Sequence, residues 1–169
     1  MEKFIEYLYS KFLLCESVSI DSRTVSEGAL FFGLNGPNFK GSRYASAALD
    51  KGAFFAVIDD SDYTDDPRII YCENTLKALQ TLATFHRSFY KNPLIALTGS
   101  NGKTTTKELI LRALSKKYIT HATKGNLNNH IGVPLTLLGI TPQTEMAIIE
   151  MGANHVGEIN ELCQMAQPT

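Results

Sequence analysis

Apolar and polar positions follow two periods along this chain, one typical of helices and one typical of short buried strands. Residues 2–14 repeat apolar side chains at helical spacing. Short apolar runs between polar or glycine-rich segments indicate strands at 17–20, 29–34, 53–58, 68–72, 94–97, 118–122 and 145–149. Further helical patterns occur at 42–51, 74–90, from Lys107, from Pro134 and at 156–166. Because strands alternate with helices, the sequence predicts an α/β fold built on mostly parallel sheets.

A break in this pattern at Lys91-Asn92-Pro93 indicates two domains. It follows the long helical pattern at 74–90, after which a new series of strands begins. A proline so close to a helical pattern ends the helix rather than continuing it. We therefore predict a boundary within or just after the helix at 74–90, with domains at residues 1–78 and 79–169.

Composition and charge narrow the class of protein. The 169 residues are 44% hydrophobic and 20% charged, which is typical of a soluble globular protein. A formal charge of −1 gives no reason to expect nucleic acid or an anionic membrane as a partner. No apolar stretch approaches the roughly 20 residues that span a bilayer, and the N-terminus lacks a signal-peptide core. Cys15, Cys72 and Cys163 are odd in number and far apart, so we expect buried thiols in a cytoplasmic protein.

The most informative segment is Thr98-Gly-Ser-Asn-Gly-Lys-Thr-Thr105, which lies between an apolar strand and a helical pattern. In such a strand–loop–helix unit, backbone N–H groups and a lysine face a bound phosphate. The Thr104 hydroxyl is placed to ligate the Mg²⁺ that accompanies a nucleotide. The common motif starts with a glycine where this chain has Leu97. The residues predicted to bind ATP or GTP are Gly99, Ser100, Asn101, Gly102, Lys103, Thr104 and Thr105.

Glu150 and the loop at 123–130 are further candidates in the second domain. Ligands of open α/β sheets lie beyond the carboxyl ends of the strands, and Glu150 closes the apolar strand at 145–149. A carboxylate there complements Thr104 as a Mg²⁺ ligand, whereas the alternative is a glutamate that only caps the next turn. The loop carries three asparagines and a histidine, which offer donors to phosphate or acyl oxygens. Turn chemistry explains the same residues equally well.

In the first domain, Asp21-Ser-Arg23 and the loop at 35–41 follow predicted strands. Ser22 and Arg23 offer a hydroxyl and a guanidinium, which suit a diphosphate or a uracil edge. The acidic run at 59–66 lacks the spacing of a calcium loop, so we expect a solvated turn. We expect Phe31, Phe32 and Phe39 in the core and His86 half-buried on a helix. None of the four histidines has the spacing of a zinc site.

Taken together, these segments resemble the Mur ligase family, the ATP-dependent amide-bond-forming enzymes of peptidoglycan synthesis. Residues 18–23 and 29–36 resemble the N-terminal domain that binds the UDP part of the substrate. Residues 98–105 resemble the family's ATP loop, including its missing first glycine. Residues 125–138 and 150–159 resemble the member that adds D-alanyl-D-alanine to UDP-MurNAc-tripeptide.

The resemblance implies a UDP-MurNAc-tripeptide domain at 1–78 and the first part of a P-loop ATP-binding domain at 79–169. It implies ATP and Mg²⁺ as cofactors, D-Ala-D-Ala as the second substrate, and a monomer. Lys103 would hold the β- and γ-phosphates, and Thr104 and Glu150 one Mg²⁺ each. Asn126 would bind the nucleotide and Asn129 would face the transferred group. The substrate contacts that the resemblance implies are Ser22, Arg23, Asn35 and Gly36.

The sequence departs from the family pattern in two ways. Lys40 stands where an aspartate is common, which affects a local substrate contact. Residue 169 precedes the His-Leu-Glu-Gly-Phe-Gly segment, the modified lysine and the C-terminal domain of family members, so we expect little or no ligase activity from these residues alone. Two other interpretations remain open. One is a related ligase, either another Mur enzyme or a folylpolyglutamate-synthase-like enzyme, and the other is a non-catalytic nucleotide-binding module.

Overall fold

The computed structural model describes residues 2–169, which divide into two compact units. The first unit extends to Leu82 and the second runs from Ala83 to Thr169. The predicted limits of the functional domains, 1–78 and 79–169, stay a prediction, because a compact unit and a functional domain need not share a boundary. No helix among residues 2–169 combines the length and the apolar character that crossing a membrane requires.

The first unit is built on a parallel four-stranded sheet in the order β1-β2-β3-β4. Its elements are α1 (Glu2–Phe12), β1 (Ser17–Ser19), β2 (Ala29–Phe32), α2 (Ala45–Asp50), β3 (Phe55–Ile58), β4 (Ile69–Tyr71) and the start of α3 (Thr75–Phe89). All four residues of β2 are buried, since this central strand has covered faces on both sides of the sheet. The carboxyl ends of the strands therefore share one edge, from which the loops at 20–23, 33–41 and 59–60 emerge.

The second unit contains a parallel three-stranded sheet in the order β5-β7-β6. Its elements after α3 are β5 (Leu94–Leu97), α4 (Lys103–Leu114), β6 (Thr120–Ala122), α5 (Gly132–Leu138), β7 (Met146–Glu150) and α6 (Glu158–Ala166). The central strand β7 is buried from Ala147 to Glu150. Leu97 pairs with Glu150, so β5 and β7 end level with each other.

Arg87 connects separate segments of the second unit. This buried side chain donates hydrogen bonds to the carbonyl oxygens of Tyr90, Ala166 and Gln167. The distance from Arg87 Nε to the Ala166 oxygen is 2.7 Å. Each carbonyl lies where a helix ends, so it has no partner within its own helix. One guanidinium, with five donors, therefore satisfies the ends of both α3 and α6.

The predicted α/β class with parallel sheets is confirmed, and the differences concern element boundaries. We predicted a helical pattern from Lys107, but α4 begins at Lys103, four residues earlier in the chain. The first turn contains threonines, whose β-branched side chains carry little helical signal. Likewise, α5 begins at Gly132 rather than at Pro134. The predicted helix at 42–51 is a 3-10 turn over Gly41–Tyr44 followed by α2.

Three expectations about burial need correction. Phe31 and Phe32 are core residues, but Phe39 is 54% exposed, because it lies in a turn seven residues beyond the end of β2. Only Cys72 is a buried thiol, whereas Cys15 and Cys163 are half-buried.

The acidic run at 59–66 is not simply a solvated turn. Asp59 is half-buried and accepts hydrogen bonds from several segments, and Asp60 forms an ion pair with Lys40 at 3.3 Å. Farther along the run, Asp66 forms an exposed bidentate pair with Arg68. The first two carboxylates of the run, Asp59 and Asp60, therefore bind side chains from other segments of the first unit.

Candidate functional site: a phosphate loop beside a buried carboxylate

The glycine-rich loop joins β5 to α4 at the carboxyl edge of the second sheet. Gly102 precedes α4 with a φ of 74°, a left-handed conformation that glycine adopts without strain. Lys103 is the first residue of the helix, and its Nζ donates to the Gly99 carbonyl oxygen at 2.7 Å. The lysine thus folds back over the loop while the N-terminus of α4 opens toward the same side. This is the arrangement in which helix N–H groups and an ammonium bind phosphate.

Thr104 and Glu150, which the sequence predicts as metal ligands, are brought into contact. The Thr104 hydroxyl donates to Glu150 Oε1 at 3.3 Å, although the two residues are 46 positions apart. The contact follows from the Leu97–Glu150 register, since the loop after β5 must start level with the end of β7. A hydroxyl and a carboxylate oxygen therefore lie together beside the phosphate loop.

Asn128 completes this cluster, although the sequence analysis did not single it out. Its Nδ2 donates to Glu150 Oε1 at 2.8 Å. The backbone holds Asn128 in place, because Gly152 N donates to the Asn128 carbonyl oxygen at 2.7 Å. Turn composition marked the whole loop at 123–130 as polar, but no local signal distinguishes Asn128 from its neighbouring asparagines.

Glu150 is 1% exposed, and its Oε2 has no hydrogen-bond partner among residues 2–169. A buried carboxylate oxygen without a partner is costly, so it marks a place where another group binds. Carboxylate and hydroxyl oxygens are the ligands that Mg²⁺ prefers. Within the described residues, no group of three His, Cys, Asp or Glu side chains forms a metal site made by protein alone. The residues present thus fit a Mg²⁺ that shares its coordination with a nucleotide.

Lys107 and Thr123 hold the backbone next to Glu150; the sequence analysis missed Lys107 and named Thr123 only as part of the loop at 123–130. The Lys107 side chain is 1% exposed, and its Nζ donates to the Thr123 carbonyl oxygen at 2.6 Å and pairs with Glu108 at 3.0 Å. The Thr123 hydroxyl accepts a hydrogen bond from Glu150 N at 2.9 Å. This chain of contacts fixes the end of β6 against α4 and against the residue that carries the carboxylate.

The other predicted residues of the polar loop lie nearby with different contacts. Asn129 Oδ1 accepts hydrogen bonds from Ile131 N at 3.1 Å and Gly132 N at 2.9 Å, so its carbonyl oxygen caps the start of α5. Asn126 is exposed. Both residues lie on the loop that carries Asn128, and their roles at the nucleotide and the transferred group stay predictions.

Two histidines in the second unit are structural, as expected for His86. His86 and His121 hydrogen-bond the carbonyl oxygens of Ile140 and Thr136 at 2.9 Å and 2.8 Å. Burial lowers the pKa of both imidazoles, and the hydrogen bonds to carbonyl oxygens oppose that effect. Each ring is therefore held in its neutral form at neutral pH.

A second candidate site is a cavity of about 430 Å³ at the carboxyl edge of the first sheet. Its lining residues are Ile20, Asp21, Ser22, Arg23, Phe31, Leu34, Phe39, Gly41 and Tyr44. Ser22 and Arg23, predicted as substrate contacts, thus line one cavity together with aromatic rings. Asp21 binds the Arg23 guanidinium with both oxygens, the shorter contact being 2.7 Å, and these hydrogen bonds lower the pKa of Asp21 to about 2. This ion pair connects the guanidinium, whose side chain is 86% exposed, to a neighbouring lining residue of the cavity.

Asn35 and Gly36, the other two predicted substrate contacts, are not lining residues of this cavity. Asn35 donates to Asp59 and accepts from Gly41 N at 3.0 Å, so both ends of its amide bind protein groups. Gly36 lies under the Phe39 ring, where a β-carbon would come within 2.2 Å of Phe39 Cε1. Both residues therefore shape the loop that carries Phe39.

Comparison with known proteins matches two segments of the chain to one family. A family model for the Mur ligase family, catalytic domain, matches residues 15–89, and one for the Mur ligase middle domain matches residues 97–169. The chain belongs to the Mur ligase family. The first family match contains the cavity with Ser22 and Arg23, and the second contains the cluster around Glu150. Each candidate site thus lies within a Mur ligase segment.

Individual relatives are similar along most of this chain. The UDP-N-acetylmuramoyl-tripeptide--D-alanyl-D-alanine ligase of Rickettsia prowazekii is 40% identical over 155 residues, which cover 91% of this chain and 34% of the relative. A crystal structure of MurF from Acinetobacter baumannii superposes with a TM-score of 0.82 at 35% identity, covering 90% of this chain and 34% of that one. MurF ligase from Thermotoga maritima in complex with ADP superposes with a TM-score of 0.80 at 32% identity, covering 92% and 36%. This Mur ligase chain therefore spans about a third of the length of these relatives.

Proposed function

We propose that the chain forms the UDP-substrate-binding and ATP-binding parts of a ligase that joins D-alanyl-D-alanine to UDP-MurNAc-tripeptide. The observation that carries the proposal is the buried Glu150 carboxylate, in contact with Thr104 beside a complete phosphate loop. Similarity to ligases of that name along about nine-tenths of the chain supports the choice of substrates. Such a ligase serves peptidoglycan synthesis in the cytoplasm, and through it cell shape and division.

In the second unit, the loop at 98–105 would hold the phosphates of ATP. The α4 N-terminus and the loop N–H groups provide hydrogen-bond donors, and Lys103 provides the positive charge. Thr104 and Glu150 would hold Mg²⁺, with Asn128 orienting the carboxylate through the bond to Oε1. The ion would neutralise phosphate charge. A MurF structure that contains ADP supports the assignment of the nucleotide.

In the first unit, the cavity at the sheet edge would bind the UDP part of UDP-MurNAc-tripeptide. Arg23 donates to Asp21 through Nε and Nη2, and its remaining guanidinium N–H groups suit a diphosphate. Ser22 offers a hydroxyl, while Phe39 and Tyr44 offer apolar ring surface for a nucleobase. A single cavity thus combines contacts for the base and for the phosphates.

The proposed reaction needs positioning and charge neutralisation rather than a protein nucleophile. A carboxylate oxygen of the tripeptide attacks the γ-phosphorus of ATP, ADP leaves, and an acyl phosphate forms. The amine of D-Ala-D-Ala then attacks the acyl carbon, loses a proton, and inorganic phosphate leaves. In this scheme Lys103 stabilises charge on the transferred phosphoryl group. In this reaction the chain would hold ATP at the carboxyl edge of its second sheet and the UDP part of UDP-MurNAc-tripeptide at the carboxyl edge of its first sheet.

Calorimetry on the 169-residue chain tests the proposal. We expect binding of UDP-MurNAc-tripeptide and, separately, of ADP with Mg²⁺. Lys103→Ala should weaken only ADP binding and Arg23→Ala only binding of the UDP ligand, so each variant is the control for the other. A folded chain that binds ADP but not UDP-MurNAc-tripeptide would instead favour a folylpolyglutamate-synthase-like ligase or a nucleotide-binding module. Sedimentation equilibrium tests the proposed monomer.

A further inference from the structure

We propose that Asp59 and Asp60 anchor the loop at residues 35–42, called here the cavity loop, and thereby position Phe39 as a wall of the UDP-binding cavity. Naming the ligand rests on the proposed function, whereas the anchor itself rests on contacts within the first unit. Asp59 is thus a positioning residue, since it acts on the cavity through the loop and is not among the residues that line it.

Asp59 receives hydrogen bonds from three separate segments. Asn35 Nδ2 donates to both carboxylate oxygens, at 3.0 Å and 3.1 Å. The Ser42 hydroxyl donates to Oδ1 at 3.2 Å, and the Thr75 hydroxyl donates to Oδ2 at 3.2 Å. Ser42 and Thr75 are 1% and 2% exposed, so these bonds are shielded from water. One carboxylate at the end of β3 therefore joins both ends of the cavity loop to the start of α3.

Two further contacts extend the anchor along the cavity loop. Asn35 Oδ1 accepts from Gly41 N at 3.0 Å, which ties the start of the loop to its end. Lys40 Nζ pairs with Asp60 Oδ2 at 3.3 Å. Lys40 on the cavity loop therefore has a carboxylate partner directly after Asp59 in the chain. The loop is thus held at Asn35, Lys40 and Ser42 by adjacent aspartates.

Phe39 lies between these attachment points and depends on them for its position. Gly36 and Phe39 form an isolated bridge, with Gly36 N donating to the Phe39 carbonyl oxygen at 3.0 Å. The ring covers Gly36 and lines the cavity, yet it remains 54% exposed. Because so much of the ring stays in solvent, hydrophobic burial alone does not fix it. The polar anchor supplies the missing constraint.

The experiment measures binding of UDP-MurNAc-tripeptide to the 169-residue chain and two anchor variants, Asn35→Ala and Asp59→Asn. In Asp59→Asn an amide donor replaces an oxygen that accepts hydrogen bonds. If the loop then holds its binding geometry about a tenth of the time, the Kd rises about tenfold. Asp66→Asn is the matched control, because it removes an aspartate of the same acidic segment whose partner is the exposed Arg68. We expect the control to bind like the original chain.

Two additional measurements separate an anchor from a direct contact or a general loss of stability. In the ligand-free Asn35→Ala variant, exchange of the Gly41 amide hydrogen should accelerate, while exchange of the Val57 amide in β3 should not change. The double variant Asn35→Ala/Asp59→Asn should bind no more weakly than the weaker single variant, because both changes break one unit.

Additive losses, or unchanged affinity in a folded Asn35→Ala chain, would overturn the anchor. Failure of the unaltered chain to bind the ligand would instead overturn the proposed function. The amide exchange of Gly41 would still decide whether the anchor exists. If Asp59→Asn does not fold, Asn35→Ala alone carries the test.

Discussion

Replacing Glu150 by glutamine should make the second unit less responsive to Mg²⁺ and nucleotide while changing its own stability little. The side chain is 1% exposed, and Oε2 lacks a partner among the described residues, 2–169. Glutamine keeps an oxygen for Thr104 and Asn128 and removes the negative charge, but its Nε2 brings two N–H donors to the position where Oε2 has no partner. The negative charge of Glu150 lowers the stability of the ligand-free unit, and the same charge attracts the cation.

The size of the effect follows from these contacts. A buried charge left without its partner costs about 3–5 kcal/mol. Hydrogen bonds to a neutral acceptor are weaker than bonds to a charged one by about 1 kcal/mol, and Oε1 accepts two. The unpartnered Nε2 N–H groups of glutamine cost about 1–3 kcal/mol. The net change in unfolding free energy expected for Glu150→Gln is therefore within about 2 kcal/mol of zero.

Thermal unfolding with and without Mg²⁺ and ADP measures both effects. At a ligand concentration of about 100 Kd, the original chain should gain about 2.7 kcal/mol, and most of this gain should disappear in Glu150→Gln. Glu161→Gln, an exposed change of the same type on α6, should leave both quantities unaltered. An undiminished response of Glu150→Gln to Mg²⁺ and ADP would refute this account of the carboxylate.

Further changes test other parts of the structure. Lys103→Ala should weaken ADP binding in calorimetry about 10- to 100-fold, because it removes a charge-assisted phosphate contact, and an unchanged Kd would contradict the loop assignment. Arg87→Met should lower the free energy of unfolding in denaturant titrations by about 3 kcal/mol or more, because three buried or helix-terminal carbonyl oxygens lose their donor. A loss below about 1 kcal/mol would argue against Arg87 as the donor that satisfies these helix ends. Burial lowers the pKa of His86 and His121 in the folded chain, so the unfolded chain binds more protons than the folded chain as the pH falls through about 6.5. Denaturant titrations should therefore give a lower free energy of unfolding at about pH 5.5 than at about pH 7.5. His121→Asn should reduce this difference. Gly36→Ala should displace the Phe39 ring and weaken binding of UDP-MurNAc-tripeptide with little change in Tm; unchanged affinity would contradict the close contact.

The sequence was sufficient for the fold class and for the glycine-rich turn between β5 and α4, because both depend on local signals. Alternating strand and helix patterns predicted parallel sheets, and a glycine-rich segment between a strand and a helix predicted the loop at 98–105. The parallel arrangement also correctly indicated that Glu150 faces the same edge as Thr104, a contact now seen at 3.3 Å. Boundaries were less accurate where β-branched residues begin a helix, as at the start of α4.

Only the tertiary structure decided which polar side chains serve these sites. Asn128 and Glu150 are 22 positions apart, and Asn35 and Asp59 are 24 positions apart, so no local pattern pairs them. Asparagines that are close in the sequence have the same side-chain chemistry, and so do neighbouring aspartates. They differ only in which residues the folded backbone brings within hydrogen-bonding distance. Secondary structure follows from the short-range order of the chain. The partners of Glu150 and Asp59 follow from strand register and loop closure, because these bring distant residues within hydrogen-bonding distance.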